Sequence, residues 1–567
     1  MDDLRLNRPG REAPPRLADY ESERRTFSAE APERYNPVLA IVESWAQEDP
    51  QAPAVVTLDA EGNTTSAQTA AELARASRQA ARAFQQAGIE KGDRVFVMLP
   101  RVPEWYAALL GAMRIGAVPM PGPNLLTPHD IADRIARANA RAAVTDAAGA
   151  VKVDQAGAEL IARFSVGADP AGSGAGGTRW IGFDAACAAA GDGETPADPT
   201  HRDDPLLLYF TSGTVSLPKM VVHRQDYALG HIGTARFWHD LRPGDLHWTA
   251  TDTGWAKAAW GGLFGQFHER TCVMQVALGK PDADTILGIL ARHGVTSFCA
   301  PPTLYRLLVQ SDLTRHDLGA LRHCTSAGEP LNPEVIRAWR QGTGLTIHDG
   351  YGQTETTCLV ANYRTLEVRP GSMGKPVPGW EVDVVDDEGH PTPTGEVGNV
   401  VVVHGGERQT GLFLGYDGDP GATAAVMRGP HYFTGDKAAR DADGYYWFEG
   451  RSDDVITSSA YRIGPFEVES ALVAHPAVVE AAVVGRPDPE RTQIVVALCI
   501  LAAGHSPSRE LAAELQEFVK QQTAPYKYPR EVHFVEALPK TVSGKIRRSE
   551  LREWLVRDTI PGERLLP

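Results

Sequence analysis

Hydrophobic positions along the chain switch between a helical and an extended period. From Ala70 to Gln86 apolar residues recur every three or four positions with Arg and Gln between them, which predicts an amphipathic helix. Arg94–Leu99 is a short strand-like run, Glu104–Ile115 a second helical stretch, and Gly116-Ala117-Val118-Pro119 leads into extended chain. Such alternation predicts βαβ units around a parallel sheet. Asp204–Phe210 contains a continuous apolar run, the pattern of a strand buried on both faces. Val295–Ala300, Ala320–Ser326 and Leu345–Asp349 are further strand candidates, each leading into a polar turn. In open α/β sheets ligands bind beyond the carboxyl ends of the strands, so the chemistry is expected at those turns.

After Gly450 the pattern changes. Short strands at Val479–Val484 and Ile494–Leu501 bracket helical stretches at Pro465–Ala474 and Ser508–Gln522. Residues 451–567 are enough to fold separately as a small α+β lid behind a larger domain over 1–450. The boundary falls in the polar run Arg451-Ser452-Asp453-Asp454, after a hairpin-like Asp443-Gly444 turn. The expected fold class is α/β: a large N-terminal domain of stacked α/β subdomains and a small mobile C-terminal lid. Residues 1–30 read as a polar, Pro-rich arm, and 167–177 as a low-complexity surface loop.

Composition narrows the function classes. With 567 residues, 43% hydrophobic and 23% charged, the chain is neither mainly disordered nor fibrous. Its 55 Gly and 41 Pro predict many turns. A net charge of −16 argues against nucleic acid or an anionic membrane as partner, though a local basic patch can still meet a phosphate ligand. No apolar run approaches the ~18 residues of a membrane span. The charged N-terminus lacks the apolar core of a signal peptide. Six scattered cysteines without a Cys-x-x-Cys pair read as small buried apolar residues of a reducing compartment, so a cytoplasmic enzyme is expected.

The strongest local signal follows the apolar strand: Thr211-Ser212-Gly213-Thr214-Val215-Ser216-Leu217-Pro218-Lys219. Hydroxyls and backbone N–H groups of such a loop can wrap phosphate oxygens, with Lys219 as a point charge, although the Walker order is absent. Further polar strings follow in order: Ser326–Pro330 (SAGEP), Asp349–Thr356 (DGYGQTET), Tyr432–Asp436 (YFTGD), Gly450–Asp454 (GRSDD) and Pro539–Lys545 (PKTVSGK).

Taken together, these strings resemble the adenylate-forming superfamily of acyl-CoA synthetases, adenylation domains and luciferases over roughly Tyr35 to Leu551. YGQTETT (351–357), YRIGPFEVE (461–469) and APYKYPR (524–530) are most similar to medium-chain acyl-CoA synthetases. The resemblance implies two steps: a carboxylate attacks the α-phosphate of ATP to give acyl-AMP, then the small domain swings and the thiol of CoA displaces AMP. It implies Lys545 bridging carboxylate and α-phosphate, with Lys219 and Thr214 at the phosphates. Glu355 and Thr214 would serve Mg²⁺. Thr211, Ser212, Gly213, Val215 and Ser216 would form the rest of the phosphate loop. Gly328, Glu329 and Pro330 would line the adenine, faced by Asp349, Gly350 and Tyr351, with Gly352, Gln353 and Thr354 alongside. Asp436 and Arg451 would meet the ribose. Asp453 resembles the pivot of the small domain. Ser458, Ser459 and Ala460 would border the pantetheine channel, and Arg462, Arg491, Lys520 and Tyr528 would contact CoA. Trp255, Ala256 and Gly261 fall in the stretch matching the acyl tunnel; its small residues suit either a roomy site or close helix packing.

The chain departs from the family at three positions. Val215 and Ser216 stand where the phosphate loop usually has Thr or Ser and then Gly, and Ala460 replaces a glycine beside the pantetheine channel. Val215 lacks a donor, and Ser216 lacks glycine's access to positive φ. Adenylation is therefore expected to be weak or lost, with transfer of a supplied acyl-adenylate to CoA retained. A fully competent two-step synthetase, a stand-alone enzyme loading a carrier protein, and a ligand-binding pseudoenzyme are the alternatives. A partner adenylating enzyme and a homodimer stay open; the acid itself is not legible.

Overall fold

The computed structural model of the protein describes residues 6, 8–167, 179–191, 193, 200–211, 218–279, 282–406, 408–458, 461–541, 545–557, 559–561 and 563–565. The helix Ala70–Gln86 begins at a capping box: the Thr69 side chain accepts from Glu72 N–H while the Glu72 carboxylate accepts from Thr69 N–H. Its apolar face, including Leu73, Ala74 and Phe84, is buried in the same core as helix Pro103–Arg114. Gly111 permits the close approach of these helices, because a Cβ there would lie 2.6 Å from the Ala80 Cβ.

One parallel sheet and the parallel half of a larger one result, as the alternation predicts. One has five strands in the order Val118–Pro121, Arg94–Met98, Ala140–Asp146, Ala162–Val166 and Trp180–Gly182. The other is a 14-stranded mixed sheet. In its parallel half, Pro53–Leu58, Cys272–Val276, Leu246–Thr249, Ser297–Ala300, His323–Ala327 and Ile347–Gly352 lie side by side. Antiparallel strands from Cys358–Ala361 to Tyr446–Arg451 extend that sheet.

Strand Pro205–Phe210 is buried on both faces, as its composition requires: Leu207 and Tyr209 join one core, Leu208 and Phe210 another. Its partner, however, is the antiparallel strand Met220–Arg224, in a three-stranded sheet. A continuous apolar run reports burial on two faces and is silent on strand direction. The loop carrying the phosphate motif is thus a hairpin excursion, not a strand-to-helix turn.

The N-terminal arm is pinned. It carries a helix, Tyr20–Thr26, capped by Asp19, with Leu17 and Tyr20 buried. Arg16 pairs with Glu269 at 2.7 Å. Beneath it lies a buried ionic cluster in which Arg322 pairs with Asp240 and, at 2.7 Å, with Asp245. Residues 456–565 build their own six-stranded sheet around helices Pro465–Val473 and Arg509–Gln522. Among the described residues, no strand of this sheet pairs with the larger sheets. No helix among the described residues is long and apolar enough to cross a membrane.

Candidate active site

The carboxyl ends of the parallel strands and the small C-terminal unit enclose a cavity of about 520 Å³. Strands His323–Ala327 and Ile347–Gly352 run in register, with Ser326 opposite Asp349 and Ala327 opposite Gly350, so the two following polar strings form one wall. Gly328 takes a positive φ of 111°, and a Cβ there would meet nothing within 4 Å. Gly350 is required for another reason: its missing side chain makes room for Trp238, 2.5 Å from where a Cβ would stand. Glu329, Pro330, Asp349, Tyr351, Gly352, Gln353 and Thr354 also line the cavity. Burial pushes the Asp349 carboxyl up to about 8, and its Oδ1 has no hydrogen-bond partner among the described residues.

Asp436 sits on the adjoining wall, opposite Arg451 in the strand register. Tyr351 donates to its Oδ2 at 2.6 Å, and Gln353 Nε2 donates to the same oxygen at 2.6 Å and to Thr434 O at 2.8 Å. Tyr432 holds Gln353 in turn, donating to Oε1 at 2.7 Å. One carboxylate oxygen is thus fixed by protein, leaving Oδ1 for a ligand. Burial raises the Asp436 pKa, against the pull of Arg451. Burial works against the Arg451 charge too, but Asp436 and Asp453 outweigh it and hold that pKa above its ordinary value.

The phosphate motif is described only at its ends; Ser212, Gly213, Thr214, Val215 and Ser216 lie outside the described residues. Thr211 N donates to Lys219 O at 3.0 Å, and Lys219 N donates to the Thr211 hydroxyl at 3.0 Å, which closes the base of the hairpin. Lys219 Nζ stands over the Tyr416 ring, 4.4 Å from its centre, and Tyr416 donates to Glu355 Oε1 at 2.8 Å. Burial raises the Glu355 pKa, and the Tyr416 hydrogen bond counters it. Among the described residues no three His, Cys, Asp or Glu side chains cluster as a metal cage. The single carboxylate of Glu355 suits a Mg²⁺ held otherwise by phosphate oxygens and water.

Lys545 reaches this cavity from the C-terminal unit. Thr541 N donates to Lys545 O at 2.8 Å and Lys545 N donates to the Thr541 hydroxyl at 3.1 Å, so its loop is closed at the base like that of Lys219. Asp453 also borders the cavity, accepting from Arg451 Nε at 3.3 Å. Its neighbour Asp454 pairs with Arg552 at 2.8 Å, so the chain enters the small unit already tied to it.

The other expected residues stand elsewhere. Ser458, Arg491, Lys520 and Tyr528 all belong to the small unit and none lines the cavity. Ser458 is paired in register with Thr492, beside Arg491. Lys520 lies 4.5 Å from the centre of the Tyr528 ring, and Arg530 covers the same ring at 4.9 Å while donating to its hydroxyl. Ser459 and Ala460 lie outside the described residues, and Arg462 is described only as part of strand Tyr461–Ile463. Trp255, Ala256 and Gly261 do not line the cavity either. Ala256 is buried in a core, and a Cβ on Gly261 would lie 1.9 Å from the Thr249 hydroxyl, so close packing accounts for that glycine. Arg530, Tyr416 and Lys257 are the residues that sequence reading passed over. Arg530 and Lys257 stood inside strings already singled out, whereas Tyr416 sits on a two-residue strand without any local signal.

Lys219, Arg451 and Lys545, the oriented carboxylate of Asp436 and the glycine wall at Gly328 thus meet around one cavity. Residues 42–416 match the family model of AMP-binding enzymes, and residues 467–545 match that of the AMP-binding enzyme C-terminal domain. The mitochondrial acyl-coenzyme A synthetase ACSM3 of Mus musculus is 41% identical over 553 residues, which cover 96% of this chain and 94% of that protein. The mitochondrial acyl-coenzyme A synthetase ACSM5 of Homo sapiens is 46% identical over 493 residues, covering 85% and 84%. The crystal structure of the anthranilate CoA ligase AuaEII with anthranoyl-AMP superposes with a TM-score of 0.85 at 29% identity, covering 94% of this chain and all of the other. A Brucella canis acyl-CoA synthetase gives 0.73 at 36% identity, covering 96% and 100%. The chain belongs to the AMP-binding enzyme family, and within this adenylate-forming superfamily it is most like the medium-chain acyl-CoA synthetases.

Proposed function

We propose that the protein is an AMP-forming acyl-CoA ligase, joining a carboxylic acid to CoA through acyl-AMP. The observation that carries this reading is the convergence of Lys219, Glu355, Asp436 and Arg451 from the large unit with Lys545 from the small one around a single cavity. Negative charge builds on the α-phosphate as the carboxylate attacks, and prepositioned cations stabilise it without having to reorganise. Lys545 would touch carboxylate and α-phosphate together. Asp436 Oδ1 would accept from the ribose hydroxyls, and the Gly328–Pro330 and Asp349–Tyr351 walls would sandwich the base. Glu355 would hold Mg²⁺, which when bound supplies charge neutralisation at the phosphates. Incubation with ATP, Mg²⁺, CoA and a panel of fatty, aromatic and polycyclic acids, supplied as acids and as adenylates, tests the reading by thioester formation. Absence of thioester from both sources overturns it.

The candidate CoA residues support a swing of residues 451–567 about Asp453. Ser458, Arg491, Lys520 and Tyr528 share the unit that carries Lys545, yet only Lys545 meets the cavity in this arrangement. One orientation therefore cannot serve both steps; a hinge exchanging the two faces can. The basic cluster at Tyr528 suits the phosphates of CoA better than a carrier protein's pantetheine arm.

Val215 and Ser216 weaken the first step in this reading. One lost charged hydrogen bond costs about 1.5–3 kcal/mol, roughly one to two decades in rate when the bond forms only in the transition state. The double variant Val215→Thr/Ser216→Gly is expected to raise ATP–pyrophosphate exchange at least tenfold while leaving thioester formation from supplied acyl-AMP within about twofold. Brisk exchange by the unmodified enzyme, or an unchanged rate in the variant, removes the loop from the argument. Weak exchange would make a separate adenylating enzyme the source of acyl-AMP.

A further inference from the structure

His223 is a buried ring that the reaction as described does not use, and its hydrogen bond ends at the cavity wall. It stands on strand Met220–Arg224, which begins directly after Lys219, and it is wholly enclosed by protein. Its Nε2 lies 2.7 Å from Thr354 O, and Thr354 and Glu355 both line the cavity. A carbonyl only accepts, so Nε2 carries the proton and donates. The ring also stacks on Tyr227, with centres 3.7 Å apart and planes 21° from parallel. Burial keeps the imidazole neutral, pushing its pKa down to about 3. Among the described residues Nδ1 has no hydrogen-bond partner. Filling this place in the core would cost less with Phe or Leu, which bury no polar atom. What the imidazole adds is the bond to Thr354 O.

That bond acts on Glu355. The Thr354 carbonyl and the Glu355 N–H belong to one planar peptide unit, so a fixed Thr354 O fixes the plane from which the Glu355 Cα leaves. On the other side of that Cα, Phe413 N donates to Glu355 O at 2.9 Å. Both peptide planes flanking Glu355 are thus held, and Tyr416 fixes its Oε1. The holding groups come from one small sheet: Tyr416 pairs in register with Val221, and Leu414 N donates to Val222 O at 2.7 Å. Lys219 leads into the same strand, and its backbone closes the phosphate hairpin on Thr211. Lys219 and Glu355, distant along the chain, therefore share one frame, and His223 is a link between them. We infer that His223 is a positioning residue: by holding Thr354 O it sets the Glu355 carboxylate against Lys219, so that a divalent cation and the ATP phosphates it rides on meet carboxylate and ammonium together.

The inference rests on the reading of Glu355 as the Mg²⁺ carboxylate, and the test separates the two. Calorimetric binding of AMP, of ATP with EDTA and of ATP with Mg²⁺ is compared for the wild type, His223→Phe, His223→Gln and Glu355→Gln. In the wild type Mg²⁺ is expected to tighten ATP binding roughly tenfold. His223→Phe keeps a stacked ring and loses the donor, so it should cut that gain below about twofold while AMP and metal-free ATP stay within about threefold. Gln brings an amide N–H close to the Nε2 position, so His223→Gln should restore most of the gain. Should His223→Phe not fold, His223→Asn, whose amide reaches only the Nδ1 position, replaces it with the same expectation. Equal weakening of all three ligands assigns His223 a packing role and overturns the inference. So does a full Mg²⁺ gain without the donor, or a His223→Gln variant no better than His223→Phe; in each case the Glu355 reading stands as long as Glu355→Gln loses the gain. A wild type without the gain, or a Glu355→Gln variant that keeps it, overturns the Glu355 reading and the inference with it. Failure of AMP itself to bind the wild type overturns the cavity reading and both.

Discussion

Replacing Lys545 by alanine is expected to lower ATP–pyrophosphate exchange by two to three decades and to spare thioester formation from supplied acyl-AMP within about fivefold. The loss of a single preorganised charge donor at a developing oxyanion commonly costs about 10²–10³ in rate. Here the side chain is the only cation that the small unit's Pro539–Lys545 string brings to the cavity. Its loop is closed by the Thr541 contacts to the Lys545 backbone, and those involve N and O, which alanine keeps. The substitution therefore removes the charge and leaves the loop. In the proposed swing, thioester formation would use the other face of the small unit, so it is expected to survive. Radiolabel exchange and thiol consumption measure the two steps separately; the Val215→Thr/Ser216→Gly background serves if wild-type exchange is too slow to read. Equal loss of both steps would show that Lys545 holds the small unit in place and has no special part in adenylation.

The second large effect concerns stability at low pH. His231 is fully buried, edge-on to Tyr227 and stacked near Phe264, and neither ring nitrogen has a hydrogen-bond partner among the described residues. Burial pushes its pKa down to about 3. Above pH 6.5 the imidazole is neutral in both the folded and the unfolded chain. As pH falls below 6.5 the unfolded chain binds a proton that the folded one refuses, so stability drops by up to about 1.4 kcal/mol per pH unit until the folded pKa is reached. His231→Leu removes that linkage and an orphaned polar ring together. The variant is expected to match or exceed the wild type at pH 7.5, and to gain about a further 2 kcal/mol relative to it by pH 5. Comparing the pair cancels the opposing carboxylates, such as Asp349, whose raised pKa makes the folded state gain stability as pH falls from about 8. Parallel denaturation curves at the two pH values are the measurement, and a difference independent of pH would refute a neutral buried His231.

Much of the site was legible in linear order because the chemistry resides in short strings at strand ends. Gly328–Pro330 and Asp349–Thr354 each follow one parallel strand, and register then forces them side by side. The Asp436–Arg451 pairing followed less directly, since it depends on two antiparallel strands meeting in register. Tyr416 could not be read at all: it belongs to a two-residue strand, and its value lies in touching Glu355 and Lys219, distant from it along the chain.

The sequence by itself determined the helices and the βαβ alternation through its apolar positions, and the order of the binding strings through its polar and glycine motifs, because periodicity and turn chemistry are local properties. The antiparallel partner of Pro205–Phe210, the packing of Gly261 on Thr249 and the hydrogen bond of Lys257 to Ala327 O were decided only by tertiary structure. So was the division of the small unit into one face at the cavity and another away from it. Strand direction, the room beside a glycine and the hydrogen-bond partner of a lysine all depend on atoms contributed by distant segments, which spacing along one chain does not encode.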